Sequence, residues 1–283
     1  MLTKLLVTLC NISPALRRIL WRWWYSKLAR QVSTERWTFM NYGFAPVDGA
    51  TDLALEDRDE PDRLCIQLYE RVVRPTELDG AEILEVGSGR GGGASYLARS
   101  RRTARLTGVD FSLQAVKFCR ERHKDVTNLQ FQVGDAEALP FPDWSFDAVI
   151  NVESSHCYGD VGKFFREVHR VLRPGGWFLF ADLRDRSGAA ELQEMVSRQE
   201  WAHVEIEDVT PGALRALELD DERKRTMIEQ IIPKRLHPLF EEFAGLTGGK
   251  IHQGFKNGEL IYLRFALTAP SSSKDDRLTG TVR

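Results

Sequence analysis

The feature that most constrains the fold is a glycine-rich turn that follows the apolar run Ile83-Leu84-Glu85-Val86. The chain passes from this run through Gly87 and Gly89 into Gly92 and a helix-forming stretch at 94–98. Glycines let the backbone approach a ligand closely, and the start of a helix carries partial positive charge. Strand, turn and helix in this order predict a site for a nucleotide-like cofactor.

Two acidic residues narrow the choice of cofactor. Gly87, Gly89 and Gly92 match the dinucleotide fingerprint G-x-G-x-x-G, which by itself is a weak signal. Glu85 lies two residues before the first glycine, where it suits a cationic methionine group and offers nothing to a nicotinamide. Asp110 ends the next apolar run, where a carboxylate can accept both ribose hydroxyls. A nicotinamide site therefore ranks behind a site for S-adenosyl-L-methionine.

Three further motifs follow in order, at 134–141, 145–150 and 170–176. With the glycine turn, this ordered set resembles the class I S-adenosylmethionine-dependent methyltransferases over roughly residues 60 to 183. In that family the matching residues frame the methionine part (Glu85, Gly87, Gly89), bind the ribose (Asp110) and bind the adenine (Asp135, with Ala136 beside it). The resemblance implies a cofactor site made of Glu85, Gly87, Ser88, Gly89, Gly91, Asp110, Phe111, Asp135, Ala136 and Asn151.

Strand and helix patterns alternate from Ile83 to Leu183, which is typical of a mostly parallel sheet covered on both faces. Strands are predicted at 82–86, 105–109, 129–133, 147–152 and 177–182. The predicted fold is α/β, with a Rossmann-like, mostly parallel seven-stranded sheet, helices on both faces and an antiparallel terminal hairpin. That hairpin joins 251–256 to 259–268 at Asn257-Gly258, a strong turn signal.

The remaining segments complete a provisional domain map. Residues 1–56 are expected to form an amphipathic N-terminal helix and a lid segment, and 57–183 the cofactor-binding core. Residues 184–250 are long for a connection and are predicted to form a helical cap over the substrate. Residues 251–269 hold the hairpin, and the polar tail 270–283 is expected to be disordered.

Composition limits the function classes. A chain of 283 residues with 42% hydrophobic content can bury a full core in one elaborated domain. A net charge of −2 argues against nucleic acid as the main partner, which requires a basic excess. The cysteines lack C-x-x-C spacing, which indicates free thiols in a reducing, cytoplasmic compartment and no metal site; they are Cys10, Cys65, Cys119 and Cys157.

The N-terminal segment 1–34 is basic and rich in tryptophan, with an apolar stripe at helical spacing from Leu16 to Leu28. Such a helix can lie in a membrane interface and give the protein peripheral membrane contact. It can equally pack on the domain as a lid, with its arginines merely solvated. The sequence leaves both open, and it leaves the oligomeric state open.

The predicted chemistry centres on His156, which follows the fourth strand, and Asp182, which ends the fifth. Ligands of open α/β sheets bind beyond the carboxyl ends of the strands, so His156 is a candidate general base and Asp182 its orienting carboxylate. His156 could instead be a structural residue or a wall of the adenine site. Asp182 could instead cap a helix or pair with Arg184 or Arg186.

Glu153-Ser154-Ser155-His156 resembles the E-S-x-H segment of natural-product O-methyltransferases, in which the matching histidine and aspartate are the proposed base pair. Segments 59–63, 91–97 and 155–158 resemble most closely the mycobacterial phthiotriolone/phenolphthiotriolone dimycocerosate methyltransferases, which O-methylate a hydroxyl on a long lipid. That branch often carries Cys where this chain has Ser88. The predicted function is S-adenosylmethionine-dependent O-methylation of a hydroxyl on a hydrophobic secondary metabolite or lipid.

Two rival functions remain at this point. One is a C-methyltransferase or a related cyclase acting on a polyketide, because His156 could equally take a proton from carbon. The other is a non-catalytic, cofactor-binding subunit that the N-terminus recruits to a membrane.

Overall fold

The computed structural model describes residues 37–49 and 53–271, so the predictions for segment 1–34 and for most of the polar tail lie outside it. The seven strands are β1 (Glu82–Val86), β2 (Arg105–Asp110), β3 (Leu129–Val133), β4 (Phe146–Val152), β5 (Leu172–Asp185), β6 (His203–Asp208) and β7 (Leu260–Thr268). The α-helices are α1 (Arg63–Val73), α2 (Gly92–Ser100), α3 (Leu113–Arg122), α4 (Val161–Val171), α5 (Arg186–Ser197), α6 (Thr210–Leu219), α7 (Asp221–Ile231), α8 (His237–Ala244) and α9 (Lys250–Lys256).

The strands form one sheet in the order β3-β2-β1-β4-β5-β7-β6. Strands β1 to β5 pair in parallel, whereas β7 lies antiparallel between β5 and β6. The chain order reverses between β1 and β4, which is where open α/β sheets bind ligands. The predicted Rossmann-like, mostly parallel seven-stranded sheet is confirmed.

Each central strand is buried on both faces, because its successive side chains alternate between two apolar cores. Ile83 of β1 and Ile150 of β4 belong to one core, which α1, α2, α3 and α6 cover. Leu84 and Val149 belong to the other core, which α4 and α5 cover. Helices therefore lie on both faces, as the continuous apolar runs of the sequence predict.

The predicted terminal hairpin is wrong. Residues 250–256 form α9 and not a strand. β7 pairs antiparallel with β6, and residues 209–259 separate the two strands along the chain, so no tight turn joins them. The misleading signal is Asn257-Gly258: Gly258 has φ +67° and terminates α9, a role that needs the same left-handed residue as a hairpin turn. His252 and Phe255 are buried at helical spacing.

Strand β6 escaped prediction because it looks polar. It is an edge strand, and Glu205 and Glu207 both pair with the buried Arg264 of β7. The helical cap predicted at 184–250 is consequently smaller than expected: α5 packs on the sheet, and β6 belongs to it. Strand β5 also runs past the predicted end at Asp182, because β7 pairs with it as far as Asp185.

A small separate core joins α7 and α8 to the segment 37–42, which we call the N-terminal strap. Ile228, Ile232, Phe240 and Leu246 form this core, and Trp37 and Met40 of the strap pack against it. The strap therefore packs against α7 and α8.

Candidate active site

A cavity lies at the carboxyl ends of β1 to β4, at the point where the strand order reverses. Its walls are the loops that follow these strands, and the strap covers it from the other side. The residues that line it include 37–41, 86–90, 109–112, 134–137 and 152–154, with Tyr69, Cys157 and Tyr158. The cavity therefore lies where the glycine turn predicted a cofactor.

The glycine turn is required by close packing at two positions. Gly87 has φ +75°, and a Cβ atom there would lie 2.3 Å from Oγ of Ser154. A Cβ atom on Gly93, inside the first turn of α2, would lie 1.9 Å from the ring of Tyr69. The absence of side chains at these positions lets the end of β4 and the ring of Tyr69 reach the cavity.

Glu85 lies beneath the cavity and is 1% exposed. The hydroxyl of Tyr69 donates to its Oε1 over 2.6 Å, and burial raises the pKa of the carboxyl to about 7 against the opposing effect of that bond and of the Ala94 N–H. Within the described residues its Oε2 has no hydrogen-bond partner. Glu85 thus carries a buried carboxylate oxygen one residue before Val86, which lines the cavity.

Asp110 links the first two loops of the site. Its Oδ2 accepts the N–H of Gly89 over 2.9 Å and its Oδ1 that of Ser112 over 2.8 Å. Burial raises the pKa of this carboxyl to about 6, and the two backbone N–H groups oppose the rise. Each oxygen retains further acceptor capacity, and Asp110 lines the cavity beside Phe111.

The third loop is held by two acidic side chains. Oδ1 of Asp135 accepts the N–H of Glu137 over 3.0 Å, and Asp135 and Ala136 line the cavity. Oε1 of Glu137 accepts the N–H groups of Gly159 and Asp160, which connects this loop to the loop after β4.

Three predicted cofactor residues lie behind the wall of the cavity rather than on it: Glu85, Gly91 and Asn151. Asn151 is fully buried, and its amide nitrogen lies 2.7 Å from Oγ of Ser154 and 2.9 Å from the hydroxyl of Tyr158. Asn151 therefore supports two residues that do line the cavity. The other seven predicted residues line it directly.

Buried polar atoms provide a test of whether a cofactor fits this cavity. Oε2 of Glu85 and Oγ of Ser88 are both buried and lack a hydrogen-bond partner among the described residues. Buried polar groups normally have one, and a ligand with amino and hydroxyl groups would supply it. These acceptor oxygens and the glycine turn fit the methionine and ribose parts of S-adenosyl-L-methionine.

His156 and Asp182 meet as predicted. His156 follows Ser155 in a short 3₁₀ turn after β4, and its Nδ1 donates to Oδ1 of Asp182 over 2.7 Å. Oδ2 of Asp182 accepts the hydroxyl of Ser155 and the backbone N–H of His156, over 2.7 and 3.0 Å. The Asp182 side chain is fully buried, whereas that of His156 is 27% exposed.

The predicted alternative partner of Asp182 is present as well, because Nη1 of Arg184 lies 3.1 Å from its Oδ2. Burial would raise the pKa of Asp182, but Arg184 and His156 hold it well below its usual range. Burial lowers the pKa of His156, but Cys157 and Asp182 outweigh this effect and bring it well above 6.5. The imidazole therefore sits on an ionised carboxylate that favours its protonated form.

Sequence reasoning missed three functional candidates. Tyr69 of α1 contacts Glu85, and no local sequence pattern predicts that contact. Cys157, interpreted only as a free thiol, lines the cavity and raises the pKa of the adjacent His156. Glu153, quoted only as part of a motif, lines the cavity and has the unusual φ of +48°. Backbone strain of this kind in a non-glycine residue is typical of functional sites.

Comparisons with known proteins agree with this geometry. Residues 84–180 match the family model described as a methyltransferase domain. The chain is 38% identical over 248 residues to the phthiotriol/phenolphthiotriol dimycocerosates methyltransferase of Mycobacterium tuberculosis, covering 88% of this chain and 91% of that one. It belongs to this methyltransferase family.

Two further proteins extend the comparison. The fatty-acid O-methyltransferase of Mycolicibacterium smegmatis is 37% identical over 219 residues, covering 77% of this chain and 79% of that one. The geranyl diphosphate C-methyltransferase of Streptomyces coelicolor, solved with S-adenosyl-L-homocysteine, shares the fold with a TM-score of 0.61 at 18% identity, over 86% of this chain and 97% of that one. The expected cofactor, S-adenosyl-L-methionine, is confirmed by the family.

Over residues 37–49 and 53–271, no helix is long and apolar enough to cross a bilayer. The same part of the chain contains no group of three His, Cys, Asp or Glu side chains arranged to hold a metal ion.

Proposed function

We propose that this methyltransferase transfers the methyl group of S-adenosyl-L-methionine to a hydroxyl of a hydrophobic secondary metabolite or lipid. His156 acts as the general base and Asp182 as its orienting carboxylate. The observation that carries the proposal is the 2.7 Å bond between Nδ1 of His156 and Oδ1 of Asp182, beside a cavity that suits the cofactor.

The cofactor, when bound, supplies a methyl group on a sulfonium and so needs no activation by the protein. A hydroxyl is a weak nucleophile, so the residues of the chain must position it and remove its proton. With Nδ1 of His156 donating to Asp182, Nε2 is the ring nitrogen that can take that proton. Asp182 keeps the ring in this tautomer and stabilises the imidazolium that results.

The cofactor-binding residues follow from the same geometry. Asp110 would accept the ribose hydroxyls on the lone pairs that the backbone N–H groups leave unused. Glu85 and Ser88 would take the polar groups of the methionine part, since both carry an oxygen without a partner in the described residues. Asp135 and Ala136 would bind the adenine, and Gly91, Phe111 and Asn151 would shape the walls.

The type of acceptor is supported by the relatives. Two of them are named for lipid acceptors: the phthiotriol dimycocerosates enzyme and the fatty-acid O-methyltransferase. The second acts on a molecule with a carboxyl group, so it supports a lipid acceptor, and only the first supports a hydroxyl. Trp37 and Met40 of the strap line the cavity, which gives an apolar acceptor a compatible environment.

The test is methyl transfer from isotope-labelled S-adenosyl-L-methionine by the purified chain. A candidate lipid fraction from a strain that lacks the protein serves as acceptor, and NMR of the product identifies the atom that carries the label. An O-methyl product that disappears with His156→Ala supports the proposal. A C-methyl product, or full turnover by His156→Ala, would contradict it.

A further inference from the structure

Glu153 is an acidic residue of the cavity wall, and one oxygen of its carboxylate is bonded both to the strap and to the sheet. The N–H of Tyr42 donates to its Oε1 over 2.7 Å, and the hydroxyl of Tyr262 donates to the same atom over 2.8 Å. The backbone N–H of Glu153 donates to Ala181 of β5 over 2.9 Å. The side chain is thus held by two elements that are distant in the sequence, the strap and β7, and the backbone is held by a third, β5.

The second carboxylate oxygen, Oε2, is left without a hydrogen bond among the described residues. Glu153 lines the cavity and is only partly buried, so Oε2 is the oxygen that a bound molecule can meet. Glu153 stands three residues before His156 in the same loop, and the two side chains interact electrostatically. A free carboxylate oxygen therefore belongs to the part of the cavity next to the base.

The charge of this group is set by its surroundings. Burial raises the pKa of Glu153 to about 7, while the Tyr42 N–H and the Tyr262 hydroxyl oppose the rise. Asp182 raises it further and His156 lowers it. At a pH above about 7 the carboxylate is ionised and already has its Oε1 satisfied, so a hydroxyl donor is the partner that its Oε2 favours.

An ionised acceptor would meet the opposite situation. Two carboxylates brought together in a partly dry cavity repel each other, and one of them must take up a proton or stay out. A neutral hydroxyl instead donates a charge-assisted hydrogen bond. A group that penalises one ligand while it binds another determines specificity more strongly than either effect alone.

We propose that Glu153 determines the acceptor class of this site: its free Oε2 accepts the hydrogen bond of a neutral hydroxyl when the acceptor binds, before that single proton turns to Nε2 of His156 for transfer, and it excludes an acceptor with a carboxylate. The inference rests on the proposed O-methylation and specifies its substrate class. Tyr42 and Tyr262 are positioning residues for this group, because both act through Oε1.

The test compares two probes that differ only in the reacting group, decan-1-ol and decanoate, on the full chain saturated with S-adenosyl-L-homocysteine. Their dissociation constants are measured by ligand-observed NMR at about pH 8, where a carboxylic acid of ordinary pKa is ionised. The wild-type protein is expected to prefer decan-1-ol. Glu153→Gln keeps an oxygen for both donors but removes the charge, so it should improve binding of decanoate relative to decan-1-ol by at least tenfold.

Two variants serve as controls. Glu121→Gln removes the charge of an exposed glutamate that does not line the cavity and should leave the ratio of the two probes unchanged. Tyr262→Phe removes one donor to Oε1 and keeps the charge of Glu153, so the preference for decan-1-ol should persist. A shift of the ratio in Tyr262→Phe equal to that in Glu153→Gln would assign the effect to packing and overturn the proposal.

The remaining outcomes are also decisive. An unchanged ratio in a folded Glu153→Gln protein overturns the proposal, as does failure of the wild type to bind decan-1-ol. Weaker binding of S-adenosyl-L-homocysteine at a constant probe ratio would assign Glu153 to the cofactor and overturn it as well. The proposed O-methylation fails separately, through full turnover by His156→Ala, so the two failures are distinguishable.

Discussion

At the ends of β1 and β2 the carboxyl groups of Glu85 and Asp110 have raised pKa values, whereas that of Asp182, on β5, is held low. Glu85 and Asp182 are each 1% exposed, and Asp110 is partly buried. The difference is that Asp182 lies against His156 and Arg184, while the described residues place no ion-pair partner on Glu85 or Asp110. We call the ends of β1 and β2, with Glu85 and Asp110, the cofactor half of the site, and the His156–Asp182 pair the acceptor half. The carboxylates of the cofactor half have no ion-pair partner among the described residues, whereas the charge of Asp182 in the acceptor half is balanced by neighbouring side chains.

This contrast has a functional reading. Burying a carboxylate without a partner is unfavourable, so a protein that retains two of them gains something from a ligand. The cofactor of this family brings a sulfonium and an amino group to the half in which Glu85 and Asp110 have no ion-pair partner among the described residues. The acceptor half must instead move a proton between groups of the protein, and for this it needs a fixed pair.

The largest expected effect is a loss of kcat in variants of the acceptor half. His156→Ala should lower kcat by roughly 10²–10⁴-fold, because it removes the base, while binding of S-adenosyl-L-homocysteine stays unchanged. Asp182→Asn should cause a smaller loss, and the double variant should be little worse than His156→Ala, since both changes disable one unit. Steady-state kinetics measure kcat, and calorimetry measures the binding of S-adenosyl-L-homocysteine. His203→Ala, at an exposed histidine, is the matched control. Additive losses would show that the two residues act independently.

The next effect concerns stability and the cofactor half. Burial raises the pKa of Glu85 from 4.5 to about 7, so its ionisation destabilises the folded protein. The penalty is absent below pH 4.5, grows between 4.5 and about 7, and is complete above that, at about 3 kcal/mol as an upper limit. Glu85→Gln should therefore be more stable than the wild type at about pH 8 but not at about pH 5, while it binds S-adenosyl-L-homocysteine more weakly. Urea unfolding without cofactor measures this, and a difference that does not depend on pH would count against an uncompensated carboxylate.

Asp110→Ala should give a smaller loss, confined to cofactor affinity. The change removes an acceptor for the ribose hydroxyls, and charge-assisted bonds of this kind contribute roughly 1.5–3 kcal/mol. Calorimetry should show binding of S-adenosyl-L-methionine weakened by tenfold or more, with kcat at saturation largely kept. Asp125→Ala, at an exposed aspartate, is the control. Unchanged affinity would remove Asp110 from the site.

The smallest expected effect is a shift of the rate–pH profile along the pH axis. The raised pKa of His156 means that the rate should rise with pH as the imidazole loses its proton, above the ordinary value of 6.5. Asp182→Asn removes a charge that favours the imidazolium, so the rising limb should move to lower pH by about one unit while the plateau falls. The same limb should stay in place in Asp110→Ala. A limb that does not move in Asp182→Asn would mean that the carboxylate does not set the state of the base.

Local sequence was sufficient for the parts of this protein that depend on short-range order. The glycine turn, the alternating strands and helices, and the pairing of His156 with Asp182 all follow from where parallel strands end, because their carboxyl ends meet at one edge of the sheet. The cofactor and its candidate residues could be predicted from the sequence for the same reason.

Tertiary structure decided what depends on contacts far along the chain. The segment 250–256 became a helix because β7 took β6 as its neighbour, and Asn257-Gly258 serves a helix end as readily as a hairpin. Glu153 became a candidate specificity residue only through Tyr42 and Tyr262, which are 111 and 109 residues away. Periodicity and turn signals report the conformation of neighbouring residues, whereas the pairing of distant strands and the partners of a buried charge are settled by the packing of the whole domain.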